Sequence, residues 1–217
     1  MSEIFRAEFK DAPVNYNEIA RYAGAKTIDS ELKNLIDACL NEANNIGVLN
    51  FSLCFVKENI EVGEDTTNFA GFSLKSKNLA KVLNGTKEAV VFACTLGVGI
   101  DKLIRKYAEI QPSKALVLQG IGAERIETYI DYFTEQYKRE NKVSLTMRYS
   151  PGYGDLSLET QKQVFALLNP PKYIGVTLND SLLMSPSKSV TGIIGIGGCD
   201  KKEDCTNCSL ENCEYRK

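Results

Sequence analysis

Ser144-Leu145-Thr146-Met147-Arg148-Tyr149 runs directly into Ser150-Pro151-Gly152-Tyr153-Gly154-Asp155. The first six residues read as a strand and the next six as a turn-rich loop, because Pro presets φ and Gly accepts conformations that other residues resist. Downstream, Ser157 is placed to cap a helix through Leu168, which Pro170-Pro171 stops. Tyr173–Leu178 and Ser189–Ile196 then read as strands. Upstream, Asp29 caps a helix whose apolar positions are Leu32, Leu35, Ile36, Cys39, Leu40 and Ala43. Gly47 ends that helix, and Phe51–Val56 follows as a strand. Ala89-Val90-Val91-Phe92-Ala93-Cys94 is a continuous apolar, β-rich run and therefore a buried strand. Thr95-Leu96-Gly97-Val98-Gly99 leads from it into a helix near Ile100–Ile110. Pro112-Ser113 opens a long helix reaching about Gln136, and Gly120, Gly122 and Ala123 thin its middle so that a backbone or ligand can approach. Strands and helices mix without strict βαβ alternation, which predicts an α+β fold with an antiparallel or mixed sheet.

The chain has 217 residues, 43% hydrophobic and 25% charged, with a net charge of −2. This suits one globular domain with a proper core and creates no broad field for nucleic acid or anionic lipid. No apolar run approaches the roughly 18 residues that a membrane helix needs, and the first residues lack a signal-peptide layout, so a cytoplasmic location is expected. Histidine is absent. That excludes His general bases, Ser-His and Cys-His nucleophile pairs and His metal ligands.

The segment Arg148-Tyr149-Ser150-Pro151-Gly152-Tyr153 resembles the S-adenosylmethionine-binding loop of the activation domain of vitamin B12-dependent methionine synthase, which carries Arg-x-x-Pro-Gly-Tyr. Leu178-x-x-Ser181-x-x-Met184-x-Pro186-x-x-Ser189-Val190-x-Gly192 resembles that family's second signature at similar separation. Ala123-Glu124, with Tyr129 five residues after the Glu, resembles its long helix, whose Glu contacts the ligand. Taken singly, Ser-Pro-Gly-Tyr-Gly is an ordinary tight turn, and Glu124, Glu127 and Asp131 at helical spacing form an ordinary solvated face. Three signatures in one order reverse that reading. The resemblance covers roughly residues 113–194. It implies a methionine synthase activation-domain-like α+β fold, a twisted, mostly antiparallel sheet with flanking helices.

The resemblance also implies S-adenosylmethionine-binding residues Glu124, Arg148, Ser150, Gly152 and Tyr153. Their chemistry suits that ligand. Arg148 can take the carboxylate bidentately, while Glu124 can meet the ammonium or the ribose hydroxyls. Gly152 lets turn N–H and C=O groups reach adenine edges, and Tyr153 can set a ring beside adenine or the sulfonium, worth on the order of 1 kcal/mol. In the family, cob(II)alamin formed by stray oxidation is returned to methylcobalamin with S-adenosylmethionine and an electron from a flavodoxin- or ferredoxin-type donor. This chain has neither an Asp-x-His-x-x-Gly cobalamin signature nor a histidine, so cobalamin must arrive on a partner, a cobalamin-binding methionine synthase subunit. The expected role is a stand-alone activation subunit that supports a methyltransferase. An iron–sulfur electron carrier for another corrinoid methyltransferase and a non-catalytic S-adenosylmethionine-binding module are the alternatives. The family's Tyr beyond the second signature has no counterpart after Ile194.

Composition changes abruptly past Gly197-Gly198, dividing an activation-domain-like unit, 1–198, from a cysteine-rich tail, 199–217. Cys199, Cys205, Cys208 and Cys213 lie within fifteen residues, close enough to wrap one metal or cluster. An iron–sulfur cluster, a structural zinc and two disulfides all remain open. Cys39, Cys54 and Cys94 sit among apolar residues and read as core.

Overall fold

The structure, a computed structural model, describes residues 3–7 and 12–197. In chain order its elements are β1 (Glu3–Ala7), α1 (Tyr16–Tyr22), α2 (Ser30–Asn45), β2 (Phe51–Asn59), β3 (Glu61–Val62), β4 (Thr66–Phe69), β5 (Phe72–Lys75) and α3 (Lys77–Val82). Then follow β6 (Glu88–Thr95), α4 (Val98–Ile110), α5 (Pro112–Asn141), α6 (Thr160–Leu168), α7 (Pro170–Ile174), β7 (Thr177–Leu178), β8 (Met184–Ser185) and β9 (Ser189–Ile196).

The main sheet has the order β1-β2-β6-β9, and every pairing in it is antiparallel. Its strands are apolar on both sides because both faces are covered. On β6, Val90, Phe92 and Cys94 enter a cluster with α2, α4 and α5, while Ala89, Val91 and Ala93 enter a second cluster with α3 and α6. On β2, Leu53 and Phe55 take the first side and Cys54 and Val56 the second. A strand buried on two faces loses polar alternation, which explains the continuous run of the sequence. The result is the expected α+β fold with a mostly antiparallel sheet and flanking helices.

Local chemistry sets several boundaries. The Asp29 carboxylate accepts from the Leu32 N–H at 2.8 Å at the start of α2. Pro112 sits in the first turn of α5, where its missing N–H costs nothing. Gly120 lies where α1 crosses α5: a Cβ there would stand 2.4 Å from the Ile19 carbonyl oxygen, so only glycine permits the crossing.

Three readings of the sequence are corrected. Ser144–Tyr149 is not a full strand; only Leu145 and Tyr149 bridge to β9, at Ile196 and Ile193. Between them the Thr146 hydroxyl accepts from the Gly195 N–H at 2.9 Å, so a side chain stands where a ladder carbonyl would be. Tyr173–Leu178 is not one strand either. Pro170-Pro171 starts the short helix α7, which Gly175 ends at φ +68°, leaving only Thr177–Leu178 extended. The long helix continues past Gln136 to Asn141, where Lys142 adopts the left-handed conformation.

Candidate functional site

Three segments distant in sequence meet beside β9. Tyr149 and Ile193 exchange backbone hydrogen bonds at 2.9 Å in both directions, which registers the Arg148–Tyr153 loop against the second signature. A Cβ on Gly192 would lie 2.7 Å from Phe92 Cε1 and 2.9 Å from Arg148 Cγ, so the signature's glycine is the space through which the Arg148 stem passes. From the third segment, α5, the Glu127 carboxylate accepts from Arg148 Nη2 at 2.5 Å. Burial alone would lower the guanidinium's pKa; Glu127, with Asp131 beside it, reverses this and holds it above its ordinary value.

The loop itself is tightly built. The Tyr153 N–H donates to the Ser150 carbonyl at 3.1 Å, and the Gly152 N–H to the Leu156 carbonyl at 2.9 Å. Gly152 has φ +85°, a conformation that side-chain-bearing residues resist. Tyr153 packs edge-on against the buried Tyr149, with ring centroids 5.3 Å apart, yet keeps 41% of its surface exposed. Its exposed surface can stack on a flat ligand ring. Asp155 anchors the loop from behind, accepting from Ser76 Oγ at 2.5 Å and from the Lys77 N–H at 2.8 Å. Burial opposes ionisation, but the hydrogen bonds from Ser76 and from the Asn78 and Lys77 N–H groups outweigh it and hold this carboxyl below the usual range.

Arg148, Ser150, Gly152 and Tyr153 are therefore together. Glu124 is engaged elsewhere. It is 2% exposed, and its oxygens accept from Arg125 Nε and Nη2, both at 2.5 Å, from Thr128 Oγ1 at 3.0 Å and from the Asn15 N–H at 3.0 Å. Arg125 extends this to the Ala12 and Pro13 carbonyls, at 3.2 and 2.6 Å. The pair fastens the chain's early segment to α5. The acid on the loop's side is Glu127, one turn further on, whose carboxylate carried no distinguishing signal beyond helical spacing.

The second signature is held as firmly. Asp101 accepts from the Ser187 N–H at 2.7 Å and from Ser187 Oγ at 2.6 Å. The Ser189 hydroxyl lies 2.9 Å from Thr95 Oγ1 and 2.7 Å from the Pro186 carbonyl. The Ser185–Pro186 bond is cis.

Elsewhere, a cavity of about 300 Å³ opens between the β1–β2 edge and the end of α5, lined by Phe5, Phe55, Phe133 and Tyr137 among others, and it includes none of the predicted site residues. Cys39, Cys54 and Cys94 are free and buried, and burial pushes the Cys39 and Cys54 thiols up to about 11. Among the described residues no cluster of His, Cys, Asp and Glu is suited to a metal, and no helix is long and apolar enough to cross a membrane. Cys199, Cys205, Cys208 and Cys213 lie outside the described residues.

This α+β domain is similar to known proteins. The vitamin B12 dependent methionine synthase activation domain family matches residues 68–202, and the chain belongs to that family. Among solved structures, the fold matches the MetH reactivation domain bound to AdoHcy, with a TM-score of 0.72 and 14% sequence identity, over 94% of this chain and 80% of that one. A comparison with curated proteins found no match.

Proposed function

We propose that this chain binds S-adenosylmethionine on the Arg148–Tyr153 loop and serves a separate cobalamin-dependent methionine synthase as its activation subunit. The observation that carries this reading is the convergence on Arg148: its loop registered on β9, its stem over Gly192, its guanidinium against Glu127. The solved neighbour of the same fold is described with AdoHcy, which differs from S-adenosylmethionine by the transferred methyl group.

Each residue has a task in this reading. Arg148 offers its remaining N–H donors to the carboxylate, and Glu127 faces the ligand's positive groups in the place the resemblance gives to Glu124. Ser150 and Gly152 present turn groups to adenine edges, and the exposed face of Tyr153 stacks on the ring or flanks the sulfonium. With an electron from a flavodoxin- or ferredoxin-type donor, S-adenosylmethionine held here would give its methyl group to a corrinoid carried by the partner, leaving S-adenosylhomocysteine. What this chain contributes is position, since orientation alone removes much of the cost of bringing two reactants together.

In the same reading residues 1–198 form the activation-domain-like unit, and Cys199, Cys205, Cys208 and Cys213 bind an iron–sulfur cluster or zinc. Metal analysis and the visible spectrum of anaerobically purified protein separate those two, and a metal-free chain rules out both. The ligand assignment is tested by calorimetry. Saturable S-adenosylmethionine binding is expected, weakened by at least ~10-fold in Arg148→Ala. A folded chain that binds no S-adenosylmethionine would remove this function.

A further inference from the structure

Lys188 occupies an unassigned position inside the second signature. Its stem lies along α5 at the thinned patch: a Cβ on Gly122 would meet Lys188 Cε at 2.9 Å and Cδ and Cγ at 3.1 Å. Gly122 thus makes room for a lysine side chain, as Gly192 does for Arg148. The backbone of Lys188 is fixed, since its carbonyl accepts from the Leu96 N–H at 3.0 Å and from Thr95 Oγ1 at 3.2 Å. Its ammonium, by contrast, has no hydrogen bond or ion pair among the described residues. The nearby carboxylate, Asp101, gives both oxygens to Ser187. Burial holds the Lys188 pKa below the usual lysine range, and Asp101 only partly opposes this. A half-buried ammonium without a partner is costly unless something anionic completes it.

Its place along the sheet says what that something is. Side chains alternate along a strand, so Lys188, Val190 and Gly192 share one side of β9, the side of the α5 cluster to which Val190 and Ile194 also belong. Lys188 therefore lies about 13 Å by strand rise from the glycine under Arg148, on the same helix-facing side. Beyond Tyr149 no strand covers the outer edge of β9 from Ser189 to Gly192 among the described residues. Near Arg148 one guanidinium faces two carboxylates, Glu127 and Asp131, so Arg148 alone leaves a bound carboxylate only partly compensated. Those two carboxylates suit the sulfonium and ammonium of the ligand, and its carboxylate then needs a further cation.

We propose that Lys188 is a second ligand-contacting cation of the site beside β9, holding the carboxylate end of S-adenosylmethionine together with Arg148. This rests on the ligand reading above, and the test separates the two. The full-length chain is titrated calorimetrically with S-adenosylmethionine and with 5′-methylthioadenosine, which keeps the nucleoside and lacks the amino-acid end. Lys188→Met preserves the stem over Gly122, and Lys188→Gln is a second neutral variant should the first not fold; thermal melts establish which is folded. The expected result is a ~10-fold or larger loss of S-adenosylmethionine affinity with methylthioadenosine binding unchanged, and recovery in Lys188→Arg. Equal losses for both compounds, or none for either, overturn the proposal. An unsubstituted chain that binds neither compound overturns the ligand reading and this one with it.

Discussion

Glu124 and Glu127 sit one turn apart on α5, and each faces an arginine, yet the two pairs do different things. The Glu124–Arg125 pair is sealed, with side chains 2% and 4% exposed, and every oxygen is satisfied by protein donors from α5 and the Asn15 segment. The Glu127–Arg148 pair is open, with Glu127 at 39% and Arg148 at 19%, and a single hydrogen bond joins them. A sealed pair locates one part of a fold relative to another. An open pair leaves donors for something that is not protein. The lesson is that a carboxylate on a helix acquires its role from how much of its hydrogen-bonding capacity the fold has already used.

The comparison breaks most easily at Glu124. Replacing it with Ala strands the Arg125 guanidinium in the interior, a loss of about 3–5 kcal/mol. For a chain of this length that lowers the melting temperature by on the order of 10 °C. Glu127→Ala, at a partly exposed pair, is expected to cost no more than about 1 kcal/mol of stability and to act on ligand affinity instead. Melts followed by circular dichroism decide it: a larger destabilisation from the Glu127 variant would invert the assignment of the two acids.

A smaller effect is expected at the glycine beneath the open pair. Gly192→Ala must push either the Phe92 ring or the Arg148 stem aside, at a cost of about 1–3 kcal/mol. Because Phe92 is fully buried, the arginine is the group that moves, so affinity for S-adenosylmethionine should fall along with the melting temperature. Unchanged affinity in a destabilised variant would show that Arg148 does not touch the ligand.

The smallest effect concerns the support behind the loop. Asp155 has a folded pKa held below its unfolded value. A depressed carboxylate contributes stability that is present above the unfolded pKa, about 3.9, and is lost as pH falls through the lower folded value. Asp155→Asn should therefore flatten the acid limb of stability below about pH 4. The group is exposed, so its contribution at neutral pH is discounted to about 1 kcal/mol or less. Melts between pH 6 and pH 2 check this; superimposable acid limbs would mean that the loop is not anchored through this carboxylate.

Much of the frame was readable in the residues alone. The apolar run of β6 announced a strand covered on both faces, Asp29 announced the start of α2, and Pro112 that of α5. Ser189–Ile196 was readable as a strand to its last residue. The failures share a cause. Thr146 looks like any strand residue until its hydroxyl is seen replacing a ladder carbonyl, and Pro170-Pro171 stops one helix by the same geometry that starts another. The short strands β3, β4 and β5 carry too few residues for a period to show, and they form because Phe69 and Leu74 enter the second core cluster.

By itself, then, the sequence determined the fold class, the family and the loop that carries Arg148, because periodicity, caps and a contiguous motif are local and survive without coordinates. The tertiary structure alone decided which acid meets that arginine, which glycine makes room for it and where Lys188 lies. Those are relations between segments far apart in the chain. Helical spacing makes Glu124 and Glu127 alike, and only the packing of the Asn15 segment on one and the Arg148 loop on the other tells them apart.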